Sequence, residues 1–148
     1  METDITKSSI RKGRIIGIDY GKRRVGIAIS DPLNLFSIPV GTFPPREALK
    51  EVSKIRDDEG MEAIVVGWPL TEEGEEGEAT ERVQRFINQL KKAHPGIPLH
   101  KVDERYSSRR AMSALVEANV KKKSRRQKGR IDSAAAAIIL QDYLDESD

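Results

Sequence analysis

Short apolar blocks open the chain, and helical spacing takes over after them. "RIIGIDY" (14–20) is rich in β-branched residues and reads as a strand. Gly21 frees the backbone for a tight turn with Lys22 and Arg23 at its tip, and "RVGIAIS" (24–30) returns as an antiparallel partner. "LFSIPVGTF" (35–43) reads as a third strand, placed at a sheet edge by Pro39. The period then changes. "PREALKEVSKIRDDEG" (45–60) carries Ala48, Val52 and Ile55 near helical spacing, and "EAIVVGW" (62–68) is a continuous apolar run suited to a strand covered on both faces. "GEATERVQRFINQLKKAHPG" (77–96) sets Val83, Phe86, Ile87 and Leu90 on one helical stripe, and "IPLHKVDE" (97–104) reads as a fifth strand. "SSRRAMSALVEANV" (107–120) reads as a helix capped by Ser107 or Ser108. A basic loop (121–130) and a last helix, "IDSAAAAIILQDYL" (131–144), follow.

This order predicts an α/β fold. Its mixed five-stranded sheet joins a three-stranded antiparallel meander to two parallel strands, with helices on both faces. In such sheets the chemistry gathers where the parallel strands end. Asp19, Gly67 and Glu104 all fall at such ends. The expected organisation is a disordered tail over 1–13, one domain over 14–144 and an acidic tail over 145–148.

Composition removes several classes of function. The chain has 148 residues and no cysteine, which excludes disulfides and thiolate metal sites. Its two histidines stand far from any acid cluster, which argues against zinc. No apolar stretch is long enough to span a membrane, and the polar start is no secretory signal, so a cytoplasmic protein is expected. The net charge is only +2, but acids crowd 72–81 and bases crowd 121–130.

The last helix prompts the chemical reading. Asp132 is expected in its first turn, where a carboxylate suits the helix dipole. Ala134–Ala137 would let that helix approach a sheet closely, against Gly17 on the Asp19 face and Gly26, Ala28 and Ser30 of the second strand. Asp132 would then lie near Asp19, with Glu104 as a third acid. Carboxylates brought together must take up a proton or share a cation. Hard oxygen ligands in this number suit Mg²⁺ or Mn²⁺, in a two-ion site of the kind that cuts phosphodiesters. Each acid also has a plainer reading. Asp19 could accept turn N–H groups, and Glu104 could pair with Arg105 or Arg109. Strand alternation puts Asp103 and Glu104 on opposite faces, and the flanking apolar residues do not choose between them.

Four blocks, "GIDYGKRRVGIA", "IVVGWPLTEEG", "VDERYSS" and "DSAAAAIILQDYL", together resemble the YqgF/RuvX family of the RNase H-like superfamily. The resemblance runs from about Arg14 to Leu144. It implies an RNase H-like fold and acids drawn from the first strand, a later strand and the final helix, holding two divalent ions. Carried over, these are Asp19, Glu104 and Asp132, with Asp103 as an additional candidate ligand. Related junction resolvases carry a further acid one helical turn before the final aspartate; here that position is Gly129. The resemblance implies processing of the 5′ end of precursor 16S rRNA, or else cleavage of branched DNA as a Holliday junction resolvase.

The bases fit a polyanionic substrate. "KKKSRRQKGR" holds seven bases in ten residues: Lys121, Lys122, Lys123, Arg125, Arg126, Lys128 and Arg130. Lys22, Arg23 and Arg24 would extend the patch, as would Arg105, Arg109 and Arg110. No aromatic residue is interleaved with these bases, so structured or duplex nucleic acid, read by shape, is expected. A solvated basic loop is the plain alternative. "TEEGEEGEAT" (71–80) reads as a soluble loop with acids favourable to the following helix, or as a gate. An actin-like ATP-binding domain shares the first hairpin but needs a second domain. A non-catalytic ribosome-assembly factor and either a monomer or a homodimer remain compatible with the sequence.

Overall fold

The computed structural model describes residues 13–21, 23–104 and 124–146, with the side chains of the last segment from Ser133 onward. Five strands form one sheet: β1 (Arg14–Tyr20), β2 (Val25–Ser30), β3 (Ser37–Phe43), β4 (Met61–Trp68) and β5 (Leu99–Asp103). Their order is β3-β2-β1-β4-β5. β1 pairs antiparallel with β2, and β2 antiparallel with β3. β4 runs parallel to both β1 and β5. The mixed sheet and the edge position of β3 agree with the expectation. The helices are α1 (Pro45–Glu59), α2 (Glu78–Ala93) and α3 (Ser124–Glu146).

Two apolar layers enclose the sheet. On one face Ile16, Ile18, Ile64 and Val66 meet Val52 and Ile55 of α1 and Val83, Phe86, Ile87 and Leu90 of α2. On the other Ile15, Ala28, Ala63 and Val65 meet Ala136, Ile139, Leu140 and Leu144 of α3. β4 contributes to both layers, which explains its unbroken apolar run. α3 lies very close to β1: a Cβ built on Gly17 would sit 2.7 Å from Cβ of Leu140 and 3.0 Å from the Ala136 carbonyl oxygen. The small residues of helix and strand therefore set the separation of the two layers.

One expectation is corrected. The last helix begins at Ser124, not near residue 131, so 124–130 are helical rather than loop. Asp132 is therefore the ninth residue of α3 and not in its first turn, and the dipole explanation for it falls. Ser124–Arg130 contains no Pro, and only Gly129 there is a weak helix former, so charge density alone did not mark a loop. The same helix continues to Glu146, two residues into the acidic stretch expected to be tail. The expected tail over 1–12, the expected helix over 107–120 and its cap at Ser107 or Ser108 lie outside the described residues.

The close approach of α3 generates a prediction. Gly17→Ala should destabilise the fold by about 1–3 kcal/mol, the usual penalty for overpacking a core. The midpoint of urea unfolding measures it; an unchanged midpoint would mean that α3 can back away freely.

Candidate active site

The carboxyl ends of β1, β4 and β5 lie together at one end of the sheet. β1 brings Asp19, paired in register with Gly26 of β2. Glu104 follows β5 directly, its backbone N–H donating to the Trp68 carbonyl at 3.3 Å. Between them β4 ends in Gly67 and Trp68. Val102 packs into the α3 layer and Leu99 into the opposite one, so alternation sends Glu104 to the α3 face. Asp103 is exposed. The choice between these two acids, open in the sequence pattern, is resolved by that packing in favour of Glu104 as the partner of Asp19.

The Glu104 carboxyl is largely buried, hydrogen-bonded to the Asp19 side chain, and pushed up to about 9. Burial is the main cause, followed by the negative charge of Asp19, the hydrogen bond with it, and the charge of Asp103. One proton is thus shared where two negative charges would otherwise meet. Oε2 of Glu104 is buried with no hydrogen-bond donor among the described residues.

Gly67 makes room for this arrangement. A Cβ there would overlap Oε2 of Glu104 and lie 2.7 Å from Cδ1 of Ile139. The sequence reading placed Gly67 at a strand end without giving it a role. Its signal was a glycine inside an apolar strand, which marks close approach by another group.

The third acid is placed by backbone alone. Going toward its C-terminus, α3 recedes from this end of the sheet: Ile139 lies by Gly67, while Tyr143 stacks on His100 lower in β5, ring centroids 5.2 Å apart. Position 132 is one turn before Ala136, which meets Gly17. It therefore lies toward the Asp19 end. The side chain of Asp132 lies outside the described residues, as do those of Arg125, Arg126, Lys128 and Arg130. Lys22, Arg105, Arg109, Arg110 and Lys121–Lys123 lie outside them altogether. Arg23 and Arg24 are exposed on the hairpin that follows Asp19. Among the described residues no three acid or histidine side chains form a metal cluster. Lys101 lies over the Trp68 ring at 3.7 Å from its centroid and donates to Gln84 of α2 at 3.0 Å, on the face of the sheet opposite to Glu104. Among the described residues, no helix is long and apolar enough to cross a membrane.

The sheet order, the hairpin at the first acid and the long helix closing one face define an α/β protein of the RNase H-like class. The fold matches that of T. thermophilus RuvC, solved in complex with Holliday junction substrate. The TM-score is 0.53 at 16% identity, over 91% of this chain and 95% of that one. A family model described as "RuvX: Holliday junction resolvase" matches residues 13–146, and the chain belongs to that family. It is 46% identical over 138 residues to a Chlorobaculum tepidum protein named "Putative pre-16S rRNA nuclease", covering 93% of this chain and 97% of that protein. A Salinibacter ruber protein of the same name is 47% identical over 136 residues, covering 92% and 95%.

The Glu104 proton has a measurable consequence. Below pH 4.5 both folded and unfolded chains hold it; between 4.5 and about 9 only the folded chain does. Through this group the folded state then binds more protons than the unfolded, so its contribution to stability slopes downward as pH rises through that window. Urea unfolding in chelator at pH 6, 7 and 8 should show that slope, and Glu104→Gln should flatten it and be the more stable at pH 8. Equal slopes would remove the shared proton. Gly67→Ala should displace the Glu104 carboxyl from its buried position and reduce that pH dependence, read by the same unfolding series.

Proposed function

We propose that this chain is a divalent-cation-dependent endonuclease of a single domain (14–144), acting in the cytoplasm on structured nucleic acid and processing the 5′ end of precursor 16S rRNA. The observation that carries the reading is the Asp19–Glu104 pair, one of its oxygens buried without a donor among the described residues, at the carboxyl end of an RNase H-like sheet. The names of the C. tepidum and S. ruber relatives support the choice of RNA.

The donor set fits Mg²⁺ or Mn²⁺. It is all oxygen, it brings carboxylates together, and Oε2 of Glu104, with no donor among the described residues, is a ready ligand atom. Asp19, Glu104 and Asp132 would hold the cation or cation pair, with Asp103 at the rim. A bound cation pair would supply activation of water and stabilisation of a phosphodiester's departing oxygen. The chain's own residues do the rest. Glu104 would release to solvent the proton it shares with Asp19, Gly67 keeps the space its carboxyl occupies, and α3 holds position 132 toward the Asp19 end. Lys22, Arg23, Arg24, Arg105, Arg109 and the bases of 121–130 would grip phosphates, positioning the substrate without reading its sequence.

The Holliday junction reading is favoured by the name of the family model, and it requires a homodimer to cut two strands. A cleavage assay separates the readings, using precursor 16S rRNA and four-way DNA junctions with Mn²⁺, Mg²⁺ or chelator. Cation-dependent trimming of the RNA, abolished by Asp19→Asn with binding retained, is the expected result. Cutting of the junction alone would transfer the assignment to branched DNA, and binding without cutting of either would leave a ribosome-assembly factor. Neutralising Lys121, Lys122 and Lys123 together should weaken RNA binding and reduce its salt slope by about 2–3. An unchanged slope would leave those lysines as a solvated surface.

A further inference from the structure

The end of the sheet opposite Asp19 and Glu104 has an unexpected surface. Leu33 is 72% exposed, Phe36 65%, Leu35 49% and Ile38 44%. Val40 joins them, lining a cleft of about 200 Å³ with Ile29 of β2 and Ile55 of α1. Ile38 stands opposite Ile29 in the β2–β3 register, and Val40, the extra residue where that register shifts, lines the cleft with Ile29, so both lie on the α1 face; Phe36 is in the loop directly before the strand. Exposed large apolar side chains are ordinary singly, but a contiguous group marks an interaction site.

The loop that carries them is held firmly. Asp31 accepts backbone N–H bonds from Leu33 at 3.1 Å and from Leu35 and Phe36 at 2.6 Å each. Its own N–H donates to the Phe36 carbonyl at 2.9 Å. Asn34 adopts φ 58, a left-handed conformation that asparagine tolerates. Its side chain bonds the Ser30 hydroxyl and donates to Glu62 at 3.2 Å. From the other face, Gln141 of α3 donates to the Leu35 carbonyl at 3.0 Å and accepts from the Ser37 N–H at 2.9 Å. Leu33, Leu35 and Phe36 are thus presented in one shape, and a partner meets little ordering cost at them.

Charge selects the partner. Glu51, Asp58 and Glu59 line the cleft with Lys54; Glu59 is paired with Arg14 at 2.9 Å, which leaves Glu51 and Asp58 as its remaining acids, and Asp31 and Glu62 lie beside the loop. A phosphate backbone would be repelled there. A second copy docked symmetrically would set these carboxylates against their own counterparts. Strand addition is also blocked, because Pro39 has no N–H and the Ser37 N–H is taken by Gln141. We propose that this surface docks a protein segment carrying large apolar side chains flanked by lysine or arginine, seated by side chains on Leu33, Phe36, Ile38 and Val40. The nucleic-acid end is left free while the partner is held. The proposal stands independently of the cleavage reading.

Three synthetic peptides of equal length test it on the full chain by amide chemical shifts. One carries leucine and phenylalanine flanked by lysines, one the same core flanked by glutamates, and one the lysines with serine replacing the apolar residues. The lysine-flanked apolar peptide should shift amides of 33–40 and 51–59, and the other two should bind at least about tenfold more weakly. Leu33→Ser with Phe36→Ser should cut its affinity by about tenfold or more, with an unchanged amide spectrum elsewhere. Glu51→Lys with Asp58→Lys should weaken it and remove its salt dependence. No binding, shifts centred elsewhere, equal binding of the glutamate-flanked peptide, self-association abolished by Leu33→Ser, or duplex RNA shifting the same amides would each overturn the proposal.

Discussion

Two carboxyl groups pressed together at one end of the sheet organise this molecule. Glu104 is largely buried next to Asp19, and the proton they share answers the repulsion between them. A fold selected for stability alone would place an apolar or amide side chain there. Retaining the acid keeps an unfavourable burial that the proton offsets, so the state of the pair is sensitive to any positive charge that reaches it.

Close packing makes such a site affordable. Gly17 lets α3 sit down on β1, and Gly67 leaves the gap that Glu104 fills. These glycines act in opposite ways: one brings a helix nearer, the other keeps a side chain's space open. Ala136, Ile139 and Leu140 then anchor the helix on the sheet, so the position of residue 132 follows from packing well away from the chemistry. The rigid core is therefore the instrument that holds acids remote in sequence at one end of the sheet.

Much of this was legible from residues alone, for physical reasons that can be named. Strands and helices followed from period: Val83, Phe86, Ile87 and Leu90 form the buried stripe of α2. Pro39 marked the edge, and the alanines of α3 announced a close contact with Gly17. What was not legible depended on tertiary choices. Asp103 and Glu104 differ only in the face they reach, and that is settled by Val102 entering one apolar layer and Leu99 the other. The start of α3 was misplaced because a run of lysines and arginines forms helix as readily as loop, and the deciding partners are not local. Leu35 and Phe36 read as the start of the third strand, but β3 begins at Ser37, because bonds from Asp31 and Gln141 hold those two residues in a loop.

The net charge of +2 conceals an uneven distribution. Among the described residues the Asp19 end of the sheet is not a basic face: Arg23 and Arg24 stand with Asp19, Asp103 and Glu104, and Glu72, Glu73, Glu75 and Glu76 lie in the segment that leaves β4 at the same end. Glu51, Asp58 and Glu59 lie along α1 with Lys54, and Glu59 is paired with Arg14 at 2.9 Å. The acids of α1 are therefore a local feature of the cleft beside the apolar loop. They bear on what can dock at that cleft, because carboxylates next to exposed apolar side chains disfavour a partner of like charge.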